Sequence, residues 1–115
     1  MQYVYFYDIH EMSMDIDLVL ENCQGFQWDS GNHLKSWLKH RVTEGDAEQI
    51  FFNEPLLVLV DGKHSQDEPR YHALGKTNDT RLLHITFTLR SKGALIRVIA
   101  ARDMHRKERN LYEQN

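Results

Sequence analysis

The chain has 115 residues, enough for one domain with a single core, and its 41% hydrophobic and 27% charged residues are typical of a soluble globular protein. No apolar run approaches the roughly 18 residues of a membrane-spanning helix, and the start lacks the pattern of a signal peptide, so we expect a cytoplasmic protein. A single cysteine, Cys23, excludes an internal disulfide, and we expect a buried, unreactive thiol.

Charge is unevenly distributed along the chain, although the net charge is only −3. Residues 1–34 contain no lysine or arginine, whereas residues 81–109 carry eight cations against two carboxylates. A local basic region is what a polyanionic partner requires, so the net charge does not exclude nucleic acid. The eight cations are Arg81, Arg90, Lys92, Arg97, Arg102, Arg106, Lys107 and Arg109.

Two helices are predicted in the first half, after an N-terminal extension (residues 1–24) of unassigned role that holds a possible strand at 3–7 and a short helix or strand within 10–24. Asp29 or Ser30 can cap the first helix, which should run to about residue 40 with an apolar face of Leu34, Trp37 and Leu38. Thr43 and Asp46 have the spacing of a capping box. The second helix, with Ala47, Ile50 and Phe51 on one face, should end near residue 53.

The second half predicts strands at residues 56–60, 70–75, 82–90 and 95–101, joined by short turn-rich segments as an antiparallel meander. Asp103 can then cap a final helix that reaches about residue 113. We therefore predict a single α+β domain over residues 1–115. Two N-terminal helices pack on a four-stranded antiparallel sheet, to which the N-terminal extension can add one or two strands, and a C-terminal helix follows.

Strand alternation places four polar side chains on one face of this sheet. In residues 82–90, His84 lies opposite the apolar set that contains Leu83 and Ile85; Arg97 lies opposite Ile96, Val98 and Ala100, and Arg70 and His72 are in phase. With the helices on the other face, the sheet would display Arg70, His72, His84 and Arg97 together.

Such a cluster suits phosphodiester cleavage, which needs fixed cations for the charge of the transition state, a base for the attacking 2′-hydroxyl and an acid for the leaving oxygen. The alternative is that the arginines only pair with surface carboxylates such as Glu68 and Asp67. A similar choice applies to Arg102, Arg106 and Arg109, predicted on one face of the last helix: they either follow a phosphate backbone or form a solvated face.

Other site types find no support in the sequence. His64, His72 and His84, with Asp61 or Asp67, match no metal-binding spacing, so no metal is expected. The chain also has no P-loop, no dinucleotide-binding glycine motif and no nucleophile elbow.

An ordered series of motifs resembles the BrnT-type toxin family over roughly residues 25–113. The first half of the series is Gly25-Phe-Gln-Trp-Asp, Lys39-His40-Arg-Val, Ala47-Glu-Gln-Ile-Phe-Phe-Asn-Glu-Pro and Asp61-Gly-Lys-His-Ser. The second half is Glu68-Pro-Arg-Tyr, Leu74-Gly75, Arg81-Leu-Leu, Ile96-Arg-Val-Ile-Ala-Ala-Arg102 and Arg106-Lys-Glu-Arg-Asn-Leu-Tyr112-Glu.

The resemblance implies a RelE-like ribonuclease that cleaves RNA without a cofactor or metal and inhibits translation and growth. It also implies a BrnA-like ribbon-helix-helix antitoxin, a heterotetrameric complex with it, and contact with operator DNA only through that antitoxin. Carried onto this sequence, the expected catalytic residues are Arg97, Arg70, Glu68, His64 and His40. The expected RNA-binding residues are Lys39, Arg102, Arg106, Lys107 and Tyr112.

Three positions depart from the family pattern: Arg41 replaces a common glycine, Ser36 a common asparagine and Ala100 a common serine. A glycine at position 41 would serve as a left-handed helix C-cap. The loss of a hydroxyl beside Arg102 leaves open whether this chain is fully active. Two alternatives to an active toxin are an inactive module that keeps the antitoxin interface and a nucleic-acid-binding regulator without a toxic role.

Overall fold

A computed structural model of the chain describes residues 19–63 and 68–115, so most of the N-terminal extension, the possible strand at 3–7 and His64 lie outside the described residues. The side chains of four residues within 30–34 are also not described. The elements, in chain order, are β1 (Gly25–Gln27), α1 (Ser30–His40), α2 (Glu44–Gln49), a 3₁₀ turn (Ile50–Phe52), β2 (Leu57–Val60), β3 (Arg70–Lys76), β4 (Leu82–Arg90), β5 (Leu95–Asp103) and α3 (Arg106–Glu113).

The sheet has five strands in the order β1-β5-β4-β3-β2. Strands β2 to β5 form the predicted antiparallel meander. The prediction of a wholly antiparallel sheet is wrong, because β1 pairs with β5 in parallel, with Phe26 beside Ile96. No hairpin joins these two strands, so no short turn imposes an antiparallel direction on them, and Phe26 of β1 packs against the first core.

The first face of the sheet, which carries Val58, Ala73, Ile85, Phe87 and Val98, holds the larger core. Segment α2 and the 3₁₀ turn cover it with Ala47 and Ile50, both fully buried. The predicted capping box is confirmed: Thr43 Oγ1 accepts from Asp46 N at 2.9 Å, and Asp46 accepts from Thr43 N at 3.3 Å. The 3₁₀ turn lies very close to strand β3, because a Cβ at Gly75 would be only 2.9 Å from the Cβ of Ile50.

The second face, which carries Leu59, His72, Leu74, His84, Thr88 and Arg97, has its own core. Helix α3 packs there, and Met104 and Tyr112 join Leu59 and Leu74 in a buried cluster. The expectation that His72 and His84 are displayed on an open face is therefore wrong, since they are 3% and 2% exposed. The alternation placed them on the correct face, but this face also binds a helix.

A β-bulge interrupts β5. Phe87 pairs with Val98 but Thr86 pairs with Ala100, so Ile99 is an extra residue on β5. Before the bulge the even-numbered residues of β5 lie on the first face, and after it the odd-numbered ones do. Ala101 is therefore buried on the first face, and Ala100 lies on the second. The prediction that Ala100 shares a face with Ile96 and Val98 is wrong for this reason.

Helix α3 begins later than predicted. Asp103 is the last residue of β5 and pairs with Leu83, and Arg102 is also in the strand. The N-cap is His105, whose backbone N–H is bound by the Glu108 carboxylate at 2.9 Å. Asp103 is therefore not the cap, and Arg102 does not lie on the helix with Arg106.

Helix α1 ends at His40 as predicted, but Trp37 and Leu38 of its predicted apolar face do not point into the core. Trp37 and Leu38 are 40% and 63% exposed, whereas Ser36 is buried. Arg41 follows with φ of +56°, the left-handed conformation expected of a C-cap residue. Cys23 is half-buried against the first core, and this burial raises the pKa of its thiol. No helix among the described residues is long and apolar enough to cross a membrane.

Candidate functional site

A row of polar side chains crosses the second face at one end of the sheet. Arg70 on β3 pairs with Thr88 on β4, Thr88 pairs with Arg97 on β5, and Arg97 pairs with Gln27 on β1. Directly opposed residues on neighbouring strands have Cβ atoms about 5 Å apart and point to the same side. The predicted juxtaposition of Arg70 and Arg97 is thus confirmed, with Thr88 between them.

Arg97 is fixed by an ion pair. Its Nη2 donates to Asp29 Oδ2 at 2.5 Å, and the two side chains are 24% and 46% exposed. Asp29 immediately precedes α1, so the guanidinium is held between the edge of the sheet and the start of the helix. A partly exposed guanidinium with a fixed carboxylate partner is restricted in orientation and still reachable from solvent.

The start of β3 carries a second pair beside this row. Arg90, the last residue of β4, donates from Nη2 to Glu68 Oε1 at 3.1 Å. The Thr88 hydroxyl donates to the carbonyl of Pro69 at 2.6 Å, which positions the segment that brings Glu68 and Arg70 to the row. The Nε–H of Arg90 is buried and has no acceptor among the described residues. Arginines and carboxylates therefore converge at this end of the second face.

A buried polar chain lies farther along the same face, under α3. His72 Nε2 is 2.8 Å from Asp61 Oδ2, and His72 Nδ1 is 3.0 Å from His84 Nε2 and 3.2 Å from Thr86 Oγ1. Burial lowers the pKa of His84 to about 3. Burial also lowers the pKa of His72, although the hydrogen bond and the charge of Asp61 oppose it. Both rings are therefore neutral at neutral pH.

Arg102 and Glu108 form the charged end of this buried region. Arg102 donates from both Nη atoms to the two Glu108 oxygens at 2.9 Å, and Glu108 is completely buried. Burial alone would raise the pKa of Glu108, but the bonds from Arg102 and from the backbone N–H of His105 hold it below its ordinary value. Glu108 thus remains ionised and binds α3 to the sheet.

The end of α1 forms a third group of sequence-predicted residues. Lys39 is exposed, and the carbonyls of His40 and Arg41 accept hydrogen bonds from the Arg81 guanidinium at 2.9 and 2.8 Å. Arg81 also binds Asp103, and this bond lowers the pKa of the Asp103 carboxyl. Arg81 thereby satisfies the last carbonyl of α1 and that of the residue after it, and ties the helix end to β5.

The predicted site residues therefore fall into three places. Arg97, Arg70 and Glu68 meet at one end of the second face, and Lys39 and His40 lie at the end of α1. The remaining predicted RNA-binding residues belong to β5 or α3: Arg106 and Lys107 are exposed, Arg102 binds Glu108, and Tyr112 is 5% exposed with its hydroxyl on the Pro55 carbonyl at 2.6 Å.

Sequence analysis missed two contributors, Arg90 and Asp29. Arg90 is six positions after His84 on the same strand, so alternation gives it the same face, and this was a signal for its contact with Glu68. The contact between Asp29 and Arg97, 68 positions apart, has no such signal in the sequence. Within residues 19–63 and 68–115, no group of histidine, cysteine and carboxylate side chains has the arrangement of a metal site.

Comparisons with known proteins agree with the motif series. A family model described as the ribonuclease toxin BrnT of type II toxin-antitoxin systems matches residues 28–108. The crystal structure of the Brucella abortus ribonuclease toxin BrnT is similar in fold, with a TM-score of 0.54 and 18% sequence identity over 72% of this chain and 99% of that chain. No curated protein sequence matches. The family match extends over most of the chain, which therefore belongs to the BrnT family of ribonuclease toxins of type II toxin-antitoxin systems.

Proposed function

We propose that this chain is an endoribonuclease that cleaves RNA without a metal ion and thereby inhibits translation and growth. The observation that supports it best is the convergence of Arg70, Arg90 and Arg97 with Glu68 at one end of the second face. Guanidinium groups bind phosphate oxygens with two parallel hydrogen bonds, and a carboxylate among them can accept a proton.

In the proposed reaction the 2′-oxygen of a nucleotide attacks the adjacent phosphorus, and the bond from phosphorus to the 5′-oxygen breaks. The products are a 2′,3′-cyclic phosphate and a free 5′-hydroxyl. Arg97 and Arg70 stabilise the charge that builds on the phosphate oxygens. Glu68 takes the proton of the 2′-hydroxyl, and His64 returns one to the leaving oxygen; His40 does not serve this step, since it lies at the opposite end of α1 from Asp29 and Arg97.

The ion pairs of the site are compatible with this role. Arg90 holds Glu68 near Arg70, and Asp29 holds Arg97 at the edge of the sheet. When a phosphate binds, Arg97 donates to its oxygens in place of, or in addition to, the Asp29 carboxylate. The Nε–H of Arg90, which has no acceptor among the described residues, then gains a phosphate oxygen as acceptor. Lys39, Arg106 and Lys107, all exposed, contribute to attraction of the RNA backbone, and Arg102 and Tyr112 act through the placement of α3.

Membership of a type II family implies an antitoxin partner. We propose a BrnA-like ribbon-helix-helix antitoxin, a heterotetrameric complex that reaches operator DNA only through it, and action in the cytoplasm. The second candidate is an inactive module that binds the antitoxin. The observation in its favour is that Arg97, Glu68 and Arg102 all have ion-pair partners, as structural arginines and carboxylates do.

The first experiment incubates the purified chain with messenger RNA in EDTA. The proposal expects cleavage to fragments with cyclic phosphate ends, since the proposed groups are side chains alone. Cleavage that is lost on chelation and restored by a divalent ion contradicts the metal-free mechanism, and no cleavage under either condition favours the inactive module.

The second experiment compares Arg97→Ala and Arg97→Lys with the parent. Loss of one preorganised charge-stabilising donor lowers cleavage by about two to three orders of magnitude. Lysine should recover little, because a point charge does not reproduce a two-pronged contact. Lys92→Ala, which removes an exposed cation in the turn before β5, is the matched control. Normal cleavage by Arg97→Ala, or unfolding that accounts for its inactivity, would show that Arg97 is structural.

A further inference from the structure

Helix α1 presents a tryptophan and an arginine in contact at the surface. Trp37 is 40% exposed, and the guanidinium carbon of Arg41 lies 5.2 Å from the centroid of its ring. The residues are four positions apart, so they are neighbours on the same side of the helix end. Neither the proposed reaction nor the core of the domain uses this pair.

The backbone of Arg41 is unusual for the residue that it carries. Its φ of +56° is the left-handed conformation in which glycine is favoured, because a Cβ is strained there. The position is nevertheless fixed, since Arg81 donates to the carbonyls of His40 and Arg41. The guanidinium of Arg41 therefore extends from a fixed point onto Trp37, at a site where the backbone prefers no side chain.

The helix that carries Trp37 is basic, although the Asp103 carboxylate lies on Arg81 beside its end. No carboxylate occurs from Ser30 to Arg41, and Lys35 and Lys39, each two positions from Trp37, line a shallow depression on another side of the same helix. This charge is complementary to a polyanion. An exposed aromatic ring in contact with an arginine is a combination on which unpaired bases stack while a phosphate is neutralised.

The pair is also within reach of the proposed reaction centre. Asp29, which binds Arg97, directly precedes α1, and Trp37 lies in the second turn after it. At 1.5 Å per residue, the distance along the helix from Asp29 to Trp37 is about 12 Å. A single strand with a phosphate at Arg97 thus reaches Trp37 within a few nucleotides.

We propose that Trp37 and Arg41 form a stacking platform for an unpaired base of the RNA substrate, next to the site of cleavage. The platform rests on the proposed function for its substrate class, but it is a separate binding subsite. It selects single-stranded over double-stranded RNA, because a paired base has no free face to offer.

The test measures binding of a single-stranded oligonucleotide made of 2′-O-methyl nucleotides, which lacks the attacking hydroxyl and stays intact. Two variants remove the platform: Trp37→Leu keeps apolar bulk, and Arg41→Gly installs the residue that the backbone prefers, so the fold survives. Phe52→Leu removes a 78% exposed aromatic ring from the 3₁₀ turn and is the matched control.

Each platform variant should lower the affinity for the single-stranded oligonucleotide by about 10-fold. The double variant should lower it by less than the product of the two single effects, because both residues serve one contact. Phe52→Leu should bind like the parent, and none of the variants should change binding of a 2′-O-methyl duplex of the same sequence. Unchanged single-strand binding by Trp37→Leu and Arg41→Gly overturns the platform. An equal loss of affinity for the duplex also overturns it, because that loss would reflect charge alone. A third contrary result is that Trp37→Leu changes the oligomeric state of the protein and has no effect on RNA binding.

Failure of the proposed function gives a different result. A parent chain that binds the oligonucleotide through Trp37 and Arg41 but leaves unmodified RNA intact has the platform without the nuclease. If the parent and Trp37→Leu cleave RNA with the same efficiency, the chain is a nuclease but Trp37 is not part of its substrate site.

Discussion

Acid should destabilise this fold through its buried histidines. The pKa of His84 is lowered by burial from 6.5 to about 3, and that of His72 is lowered for the same first reason. Above pH 6.5 the rings are neutral in both the folded and unfolded chains. Below it the unfolded chain takes up protons that the folded chain refuses, so stability is lost as the pH falls from 6.5 towards 3.

The size of this loss follows from the shift. Each pH unit between the two pKa values of a group costs about 1.4 kcal/mol, so at pH 5 His84 alone removes about 2 kcal/mol of the free energy of unfolding. His72 adds a loss of the same sign. Glu108 faces His84 from α3, but its pKa lies below the ordinary 4.5, so its carboxylate is still ionised at pH 5.

Urea titrations from pH 8 to pH 5 at constant ionic strength measure the effect. The midpoint of the parent should fall by roughly 1 M urea, given the slopes typical of small domains. His84→Leu should remove about 2 kcal/mol of this pH dependence. His105→Asn, which replaces an exposed histidine by another good N-cap residue, should leave the dependence as it is. Equal slopes in the parent and His84→Leu would refute the account of a neutral buried ring.

Three further changes test the packing by urea or thermal unfolding. Glu108→Ala should lower the free energy of unfolding by about 3 kcal/mol or more, because it leaves a mostly buried guanidinium without its partner; a loss below 1 kcal/mol would contradict this. Gly75→Ala should lower the free energy of unfolding by about 1–3 kcal/mol, since the new Cβ would lie 2.9 Å from Ile50. Gly62→Ala meets no atom within 4 Å, so its steric cost should be much smaller. Arg41→Gly should be as stable as the parent or more stable by up to about 1 kcal/mol, because it removes the strained Cβ. Arg41→Ala keeps the strained Cβ and loses the contact with the Trp37 ring, so it should be less stable than either.

Local patterns predicted the parts of the site that depend on local rules. The meander and the register of β3 and β4 follow from short turns, so alternation placed Arg70 and Arg97 on one face. The capping box and the left-handed residue after α1 also follow from a few adjacent positions. These features need no knowledge of what packs against them.

The errors arose where distant segments decide the outcome. Alternation assigned His72 and His84 to a face, but it did not show that α3 docks on this face through Glu108 and that the two rings are buried there. Periodicity found the apolar face of α1, but an apolar side of a short helix has the same spacing whether it faces a core or a partner, and Trp37 lies at the surface. The direction of β1 depends on a three-residue contact with β5 that carries little pattern of its own.

The extra residue in β5 makes that strand tolerant of changes in length. If Ile99 were absent, Val98 would still oppose Phe87 and Ala100 would still oppose Thr86, so no side chain would move to the other face. If Val98 were absent, Ile99 would take its place with a similar apolar side chain. Relatives of this protein could therefore lose one residue here and keep both Arg97 and Arg102 on the second face. The number of residues between those arginines is thus a poor criterion for aligning distant members of the family, and the pairing with β4 is a better one.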